Sequence, residues 1–225
     1  MTKKKNEFNK KLHDLKLHAN ILHAFESVDR AMFFEPFFRE KIENFSPIPI
    51  GFGENSDDVA ILAEMLNILS PKKSWTLLEV GTGSGYSTAI LSTMVKKIVT
   101  IELHEQLAVD AKKRLIDNGY FNIKFMAGDC SELDDTAGFF DAAIIYSGCT
   151  HSPYSVLNLI KPGGVAVFPM GPLHMQQITL FKNLVKDSEP GPFDRYKFFS
   201  TCNVPSIKGA YGNSTQGMNI IIEKE

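Results

Sequence analysis

The residues best suited to chemistry lie at the ends of two apolar segments. The first segment, Leu77-Leu78-Glu79-Val80, runs into the glycine-rich turn Gly81-Thr82-Gly83-Ser84-Gly85. Glycine lets a backbone approach a ligand without an intervening side chain. The second segment, residues 98–101, ends in Glu102, twenty-one residues after Gly81. A carboxylate there could accept both hydroxyls of a ribose held over the turn, so the pair indicates a nucleoside-bearing cofactor.

The spacing of the glycines distinguishes between cofactors. Dinucleotide-binding turns follow G-x-G-x-x-G, and their third glycine lets a helix N-terminus face a pyrophosphate. This chain reads G-x-G-x-G, and Tyr86 stands where that third glycine would be. Residues 79–85 resemble the first motif of class I S-adenosylmethionine-dependent methyltransferases, whose cofactor has a ribose and an adenine but no phosphate. A glycine turn without a ligand and a dehydrogenase with an unusual loop are the alternatives.

A third segment follows the same arrangement. Residues 122–126 are typical of a short strand and run into Ala127-Gly128-Asp129-Cys130, where Asp129 could accept a hydrogen bond from an adenine amino group. Gly128-Asp129 is also an ordinary turn sequence, so the order of the three segments carries more weight than the dipeptide. The expected cofactor-binding residues are Glu79, Gly81, Thr82, Gly83, Ser84, Gly85, Glu102, Leu103, Gly128, Asp129 and Cys130.

Length and composition indicate one globular domain. A chain of 225 residues, 44% of them hydrophobic, is long enough for a single α/β core. We expect one domain over residues 1–225, with an N-terminal helical arm at about 1–46 and a C-terminal strand extension at about 195–225.

Charge and residue spacing argue against several classes of partner. A net charge of −2 gives no basic surface for nucleic acid. No apolar run approaches the ~18 residues of a membrane span, and the three cysteines are far apart, as in a reduced cytoplasmic protein. His13, His18 and His23 recur every five residues, a step that rotates around a helix and cannot gather a metal site. We expect a cytoplasmic monomer without metal, membrane or nucleic acid.

The apolar pattern predicts an alternation of helices and strands. Predicted helices cover residues 7–30, 57–69, 87–95, 103–118 and about 155–159, with Gly119 as a C-terminal cap. Predicted strands cover residues 77–80, 98–101, 122–126, 141–146, 165–168, 178–181 and 218–222, with a turn at 161–164 before the fifth. This order predicts a Rossmann-like class I methyltransferase fold: a mostly parallel sheet with an antiparallel edge and helices on both faces. The cofactor then lies at the carboxyl ends of the first strands.

Motifs outside the glycine turn narrow the choice of family. Five further motifs stand in order around the core at 78–86. They are Val28-Asp29-Arg30 with Phe33 and Pro36, P-I-P-I-G-F-G at 47–53, F-D-A-A-I-I at 140–145, G-G-V-A-V-F-P-M-G at 163–171 and N-V-P at 203–205. This set, spanning about residues 24–209, resembles the protein-L-isoaspartate O-methyltransferase family. The corresponding family segments read V-x-R-x-x-F-x-P, P-L-P-I-G-x-G, F-D-A-I-I-V, G-G-x-x-V-x-P-x-G and F-V-P.

The resemblance implies a repair reaction. S-adenosylmethionine would methylate the free α-carboxyl of an isoaspartyl residue in damaged proteins or peptides. A carboxylate is already ionised at neutral pH, so no strong base is required. Catalysis then consists of holding the carboxylate oxygen, the methyl carbon and the sulfur in line, away from water. One hydroxyl donor that orients the carboxylate would suffice.

The expected substrate loop departs from the family pattern. After P-I-G-x-G the family reads Q-T-I-S-x-P, whose Ser is its proposed active-site hydroxyl, whereas this chain reads Glu54-Asn55-Ser56-Asp57-Asp58. Ser56 is the candidate catalytic residue, and the alternative is that Ser56 or Asp57 only caps the next helix. The two acids would oppose an incoming carboxylate. The alternative functions are a methyltransferase for another small-molecule or protein nucleophile, and a cofactor-binding protein without isoaspartyl activity.

Overall fold

The computed structural model describes residues 3–42, 44–184, 195–208 and 211. Within these residues, no helix is both long and apolar enough to cross a membrane. The same part of the chain brings no three metal-ligating side chains together. The strand predicted at 218–222 lies outside the described residues.

The N-terminal arm contains two helices, so the single helix predicted over residues 7–30 is wrong. Helix α1 spans Lys3–Asp14 and helix α2 spans Ala19–Ser27. The break falls at Lys16, whose φ of 53° is left-handed. Beyond it, the backbone N–H of His18 donates to Asn67 Oδ1 at 2.8 Å. A tertiary contact therefore fixes the start of α2, and no glycine or proline marks this break in the sequence.

A short antiparallel hairpin connects the arm to the main domain. Strands β1 (Pro49–Gly51) and β2 (Glu54–Asn55) pair with each other and lead into helix α3 (Val59–Leu69). The Asp58 carboxylate caps α3, because it accepts the N–H groups of Ala60 at 2.8 Å and Ile61 at 3.3 Å. The cap is therefore Asp58 and not Ser56 or Asp57, the two residues that the sequence offered for this role.

The main domain alternates strands and helices around one sheet. The elements are β3 (Thr76–Val80), α4 (Tyr86–Ser92), β4 (Lys97–Glu102), α5 (Glu105–Asp117), β5 (Ile123–Ala127), β6 (Phe140–Ile145), α6 (Tyr154–Leu157), β7 (Ile160–Met170), β8 (Gln176–Lys182) and β9 (Tyr196–Cys202). The sheet order is β5-β4-β3-β6-β7-β8-β9. The first five strands in this order are parallel, and β8 and β9 are antiparallel. The predicted mostly parallel sheet with an antiparallel edge is confirmed.

Two apolar layers cover the sheet, as the predicted fold requires. Successive residues of β3, such as Leu77 and Leu78, belong to different layers because successive side chains of a strand point to opposite faces. The larger layer packs α1 to α4 and Leu115 of α5 against one face. The smaller layer includes α6 and lies on the other face. The strand order reverses between β3 and β6, and such a switch point is where ligands bind in sheets of this kind.

The Pro-Gly-Gly segment lies within strand β7, so the turn predicted at 161–164 is wrong. The N–H of Gly163 donates to the carbonyl of Asn183 at 2.6 Å, and the N–H of Asn183 donates to the carbonyl of Gly164 at 2.9 Å. These bonds hold the segment beside the end of β8 as an irregularity in a long strand. Turn-forming residues thus produce a bulge here, because a neighbouring strand supplies partners for the backbone.

Candidate active site

An open cleft lies at the carboxyl ends of β3, β4, β5 and β6, at the switch point of the sheet. The hairpin and the segment after β9 form its opposite wall. The cleft is lined by Ile50, residues 54–57, 80–84, Tyr86, Ser87, 101–104, Leu107, 128–130, Tyr146, Ser147 and 206–208.

The glycine turn brings backbone, and few side chains, to the floor of the cleft. Gly83 has a left-handed φ of 54°, and a Cβ there would lie 3.3 Å from Ile50 Cδ1. Gly85 serves a different purpose, because a Cβ there would lie 3.1 Å from Leu115 Cδ1. It allows α4 to begin close to α5 and does not line the cleft.

The Glu102 carboxylate is held in position by the backbone on both sides. Its Oε2 accepts the N–H of Gly83 at 2.9 Å, and its Oε1 accepts the N–H of His104 at 3.1 Å. The residue is only 6% exposed, yet it lines the cleft. Each carboxylate oxygen can accept a second hydrogen bond, so Glu102 can receive two hydroxyls from a ligand on the glycine turn.

Glu79 lies beneath the turn and outside the cleft. It is fully buried and accepts hydrogen bonds from the hydroxyls of Thr88 at 2.6 Å, Thr100 at 2.7 Å and Tyr146 at 3.0 Å. Burial raises the pKa of Glu79 to about 7, although these hydrogen bonds act in the opposite direction. Glu79 therefore joins β3, α4, β4 and the end of β6 below the cleft and does not face a ligand.

The far end of the cleft has the character of a base-binding pocket. Leu103 presents an apolar side chain that is 42% exposed, and Gly128, Asp129 and Cys130 lie on the same lining. The Asp129 Oδ1 accepts the N–H of Ser131 at 2.8 Å, which fixes the carboxylate at the start of a short 3-10 helix. Burial raises the pKa of the Cys130 thiol to about 12, so the thiol is neutral at ordinary pH.

Ser56 and Asp57 lie on the wall that the hairpin provides. The N–H of Ser56 donates to the carbonyl of Ile48 at 2.8 Å, and Ser56 Oγ accepts the N–H of Ile48 at 2.9 Å. The hydroxyl proton has a long contact of 3.4 Å with the carbonyl of Asp57. Burial, and next the charge of Glu79, raise the pKa of Asp57 to about 7.

Three charged or titratable side chains, which we call the rim cluster, meet at the mouth of the cleft. Glu54 of β2 lies 3.4 Å from His104 Nε2 and forms an ion pair with Lys208. The ring of Phe52, at the tip of the hairpin, stacks on His104 with the ring centroids 5.4 Å apart. The rim cluster thus connects the hairpin, the loop after β4 and the segment after β9.

The buried amide of Gln176 brings the last of these segments to the cleft. Gln176 Nε2 donates to the carbonyl of Val204 at 3.0 Å, and its Oε1 accepts the N–H of Val204 at 3.3 Å. Gly148, after β6, donates its N–H to Pro205 and accepts the N–H of Ile207, each at 2.9 Å. These bonds place residues 206–208 on the cleft wall.

The structure brings most of the expected site residues together. Of the predicted residues, Ser56, Gly81, Thr82, Gly83, Ser84, Glu102, Leu103, Gly128, Asp129 and Cys130 line the cleft, whereas Glu79 and Gly85 do not. The cleft also contains Glu54 and Asp57, which the sequence placed in the expected substrate loop without a binding role, and His104, Tyr146, Ser147 and Lys208, which it did not identify. Tyr146 and Ser147 could have been inferred, because they directly follow the end of a central parallel strand. Lys208 carries no local signal.

The cleft residues fit an adenosyl group that carries no phosphate. Glu102 offers two acceptors beside the glycine turn, and Leu103 and Asp129 offer an apolar surface and an acceptor at the far end. Tyr86 stands where a dinucleotide-binding turn has its third glycine, and its ring is packed against Phe25, Phe33 and Phe34 of the arm. Fold and site together define a class I S-adenosylmethionine-dependent methyltransferase.

Comparison with known proteins identifies the family. A sequence model described as protein-L-isoaspartate(D-aspartate) O-methyltransferase (PCMT) matches residues 3–192, and the chain belongs to this family. A protein-L-isoaspartate O-methyltransferase of Rhodopseudomonas palustris is 33% identical over 84% of this chain and 85% of its own length. Protein-L-isoaspartate O-methyltransferase 1 of Nitrosospira multiformis is 36% identical over 86% of this chain and 80% of its own length.

Solved structures share the fold. A structure named protein-L-isoaspartate O-methyltransferase superimposes with a TM-score of 0.77 and 19% identity, over 92% of this chain and 67% of the other. A Plasmodium falciparum protein assigned as the same enzyme, in complex with S-adenosyl-L-homocysteine, superimposes with a TM-score of 0.75 and 15% identity, over 91% of this chain and 97% of the other.

Proposed function

We propose that this protein transfers a methyl group from S-adenosylmethionine to the free α-carboxylate of L-isoaspartyl residues in damaged proteins or peptides. The family match over residues 3–192 carries the proposal. The cleft supports it, because most of the cofactor residues expected from the sequence line it. The repair of damaged proteins is the role that this reaction serves.

We assign the binding of the cofactor to three parts of the cleft. Gly81 to Ser84 would support its central part with backbone, Glu102 would accept the ribose hydroxyls, and Leu103, Gly128, Asp129 and Cys130 would surround the adenine. Glu79 and Gly85 would act indirectly, Glu79 by holding Tyr146 and Gly85 by letting α4 pack against α5.

The reaction demands orientation more than proton transfer. When bound, S-adenosylmethionine supplies an electrophilic methyl group on a sulfonium, which leaves readily. An isoaspartyl carboxylate is already ionised near neutral pH, so the residues of the cleft need not remove a proton. Their task is to hold one carboxylate oxygen in line with the methyl group while the hairpin and residues 206–208 exclude water.

Ser56 is our candidate for the hydroxyl that orients the substrate. Its Oγ is fixed by the N–H of Ile48 at 2.9 Å, and its proton has only the 3.4 Å contact with the carbonyl of Asp57. A hydroxyl that accepts one hydrogen bond can still donate its own proton. The Ser56 proton can therefore turn from this long contact to an incoming carboxylate.

We further propose that the protein acts as a single-domain monomer in the cytoplasm, without nucleic acid. A net charge of −2 supports the absence of a nucleic-acid surface. Both apolar layers lie against the same sheet, which supports a single domain. Light scattering during size-exclusion chromatography tests the monomer: a dimer mass at micromolar concentration would contradict it.

The function is tested by methyl transfer from labelled S-adenosylmethionine to an isoaspartyl peptide. The matched control is the same peptide with a normal aspartyl residue. We expect label on the isoaspartyl peptide alone. If neither peptide is labelled by protein that still binds the cofactor in calorimetry, the isoaspartyl proposal is wrong. A different nucleophile or a binding role would then have to be sought.

A further inference from the structure

The Asp57 carboxyl is a cleft residue that the reaction described above does not use. It lies one residue before Asp58, the cap of α3, and it lines the same wall as Ser56. Apart from its own backbone N–H, no donor among the described residues makes a hydrogen bond to it. An acid in this place requires an explanation, because an ionised carboxylate would repel the carboxylate substrate.

The hydroxyls of two cleft residues, Thr82 and Tyr146, belong to the hydrogen-bond network around Glu79. Tyr146 donates to Glu79 at 3.0 Å, and Thr100 also donates to Glu79, at 2.7 Å. Since Thr100 uses its proton for Glu79, Thr82 must donate to Thr100, at 2.7 Å. Thr82 and Tyr146 line the cleft, but their protons are not available to a substrate in this arrangement.

The buried Glu79 and the partly buried Asp57 differ in their ability to hold a negative charge. Glu79 accepts three hydroxyl hydrogen bonds, and each one stabilises its ionised form. Asp57 has no comparable donors and also feels the charge of Glu79. Of the two, Glu79 is therefore the better site for the charge and Asp57 the better site for a proton.

The remaining charges around Asp57 do not change the conclusion that Asp57 holds a proton more readily than Glu79. Asp58 favours the protonated form of Asp57, and the guanidinium of Arg30 favours the ionised form with a smaller effect than burial and Glu79. The phenol of Tyr146 is neutral, because burial raises its pKa well above the ordinary value. Among cleft residues, Glu54 is already paired with Lys208 and approached by His104. A bound cofactor brings one net positive charge, and the substrate carboxylate brings one negative charge that offsets it.

We propose that Asp57, in its protonated form, donates a hydrogen bond to the carboxylate of the substrate and shares with Ser56 the task of orienting it. This inference rests on the proposed isoaspartyl function. It explains how a loop with an acid in this position can still accept a carboxylate: a carboxylic acid is a donor, whereas a carboxylate is not. The pKa of Asp57, raised to about 7 by burial and by Glu79, supports the protonated form near neutral pH.

The proposed donor has a specific kinetic signature. The Asp57 proton holds the carboxylate group in the bound substrate and keeps this hydrogen bond in the transition state, so it stabilises both states about equally. Loss of the Asp57 proton should therefore raise KM for the peptide and leave kcat nearly unchanged. With a pKa of about 7, kcat/KM should fall about twentyfold between pH 6.5 and 8.5 as the acid ionises.

The test compares the wild type with Asp57→Asn and Asp57→Leu over pH 5.5–9. Initial rates are followed as S-adenosylhomocysteine formed with an isoaspartyl peptide, because the methyl ester product is itself labile at high pH. The Asn amide keeps a donor but cannot ionise. We expect kcat/KM of Asp57→Asn to change less than about twofold between pH 6.5 and 8.5 and to exceed that of the wild type at pH 8.5. The kcat/KM of Asp57→Leu should be about ten- to a hundredfold below that of the wild type at pH 6.5.

The neighbouring acid provides the matched control. Asp58→Asn removes the adjacent charge, and Asn can still cap α3, so this variant should keep the fall in kcat/KM at alkaline pH, moved slightly to lower pH because Asp58 favours the protonated form of Asp57. The proposal is overturned if kcat/KM of Asp57→Asn still falls between pH 6.5 and 8.5 as in the wild type. It is also overturned if Asp57→Leu has the kcat/KM of the wild type at pH 6.5. A wild type that binds the cofactor but methylates no isoaspartyl peptide at any pH would instead overturn the proposed function.

Stability measurements test the protonation of Asp57 independently of activity. A folded-state pKa above the unfolded value means that the folded protein holds more protons, so its stability falls as pH rises between the two values. The melting temperature of the wild type, relative to Asp57→Asn, should therefore fall between pH 4.5 and 7.5 and level off above that range. A difference that does not depend on pH would show an ionised Asp57 throughout and overturn the proposal.

Discussion

At the scale of single residues, Glu102 shows how the backbone prepares a side chain for binding. The N–H groups of Gly83 and His104 fix its two oxygens before any ligand arrives. In the ribose-binding role that we propose for Glu102, little side-chain entropy would then be lost on binding. The same carboxylate ties the glycine turn to the end of β4, so its role combines local structure with recognition.

Glu102→Ala should weaken cofactor binding by about 1–3 kcal/mol, because the ribose hydroxyls lose their acceptor in a poorly hydrated site. Calorimetry with S-adenosylmethionine and with S-adenosylhomocysteine measures the change. Glu105→Ala is the matched control, since Glu105 is exposed on α5 and does not line the cleft. Equal affinities for Glu102→Ala and the wild type would remove Glu102 from the binding site.

Ser56→Ala should affect both stability and substrate binding. The buried Ile48 would lose the acceptor of its N–H, which should lower the free energy of unfolding by about 1–3 kcal/mol. We also expect a higher KM for the peptide at every pH, with cofactor affinity unchanged. Ser56→Thr retains the hydroxyl and serves as the control. A reduced stability with unaltered KM would leave Ser56 with a structural role alone.

At the scale of elements, the short hairpin and the cap of α3 determine where the substrate loop lies. Residues 54–57 pass directly from β2 to the cap at Asp58, and all four line the cleft. Because both ends of this passage are fixed by backbone hydrogen bonds, Ser56 and Asp57 have little freedom to move.

Asp58→Ala should destabilise the protein by about 1 kcal/mol, since two N–H groups at the start of α3 lose their acceptor. Asp58→Asn and Asp58→Ser should recover most of this loss. Chemical denaturation monitored by circular dichroism gives the difference. An unchanged midpoint for Asp58→Ala would show that the helix start is held by tertiary packing instead of by its cap.

At the scale of the whole molecule, the antiparallel edge returns the chain to the cleft. Strands β8 and β9 extend the sheet away from the cofactor side, and the segment after β9 then runs back across Gly148. The hydrogen bonds between the Gln176 amide and Val204, and the rim cluster, fix this segment at two places. Parts of the chain that are distant in sequence, near residues 54, 104 and 208, therefore line one cleft.

Breaking the rim cluster should speed the release of the cofactor. We expect Glu54→Gln and Lys208→Gln each to raise the dissociation rate about two- to fivefold, with a coupling of about 0.2–1 kcal/mol in the double variant, as for partly exposed ion pairs. The effect should shrink in high salt. Stopped-flow displacement measures the rates. The Lys113–Asp117 pair on α5 is the control, and equal effects there would contradict a specific role for the rim cluster.

The sequence by itself determined the cofactor half of the site. The glycine turn, Glu102 and Gly128 to Cys130 each follow directly on a strand, and carboxyl ends of parallel strands must meet at one edge of a sheet. Short-range patterns and one topological rule were therefore enough to bring these residues together. The same reasoning misplaced Glu79, because alternation along β3 gives the face on which a side chain lies but not what covers it.

Only the tertiary structure decided the substrate half. Which of two adjacent acids caps α3 and which faces the cleft depends on the path of the chain between β2 and the helix. The protonation state of Asp57 depends on burial and on the charge of Glu79, which lies on strand β3. The rim cluster and the break at Lys16 likewise depend on partners far along the chain. Local sequence patterns indicate the chemistry that a residue is capable of. Electrostatics and packing act through space, so the fold alone determines which groups become neighbours.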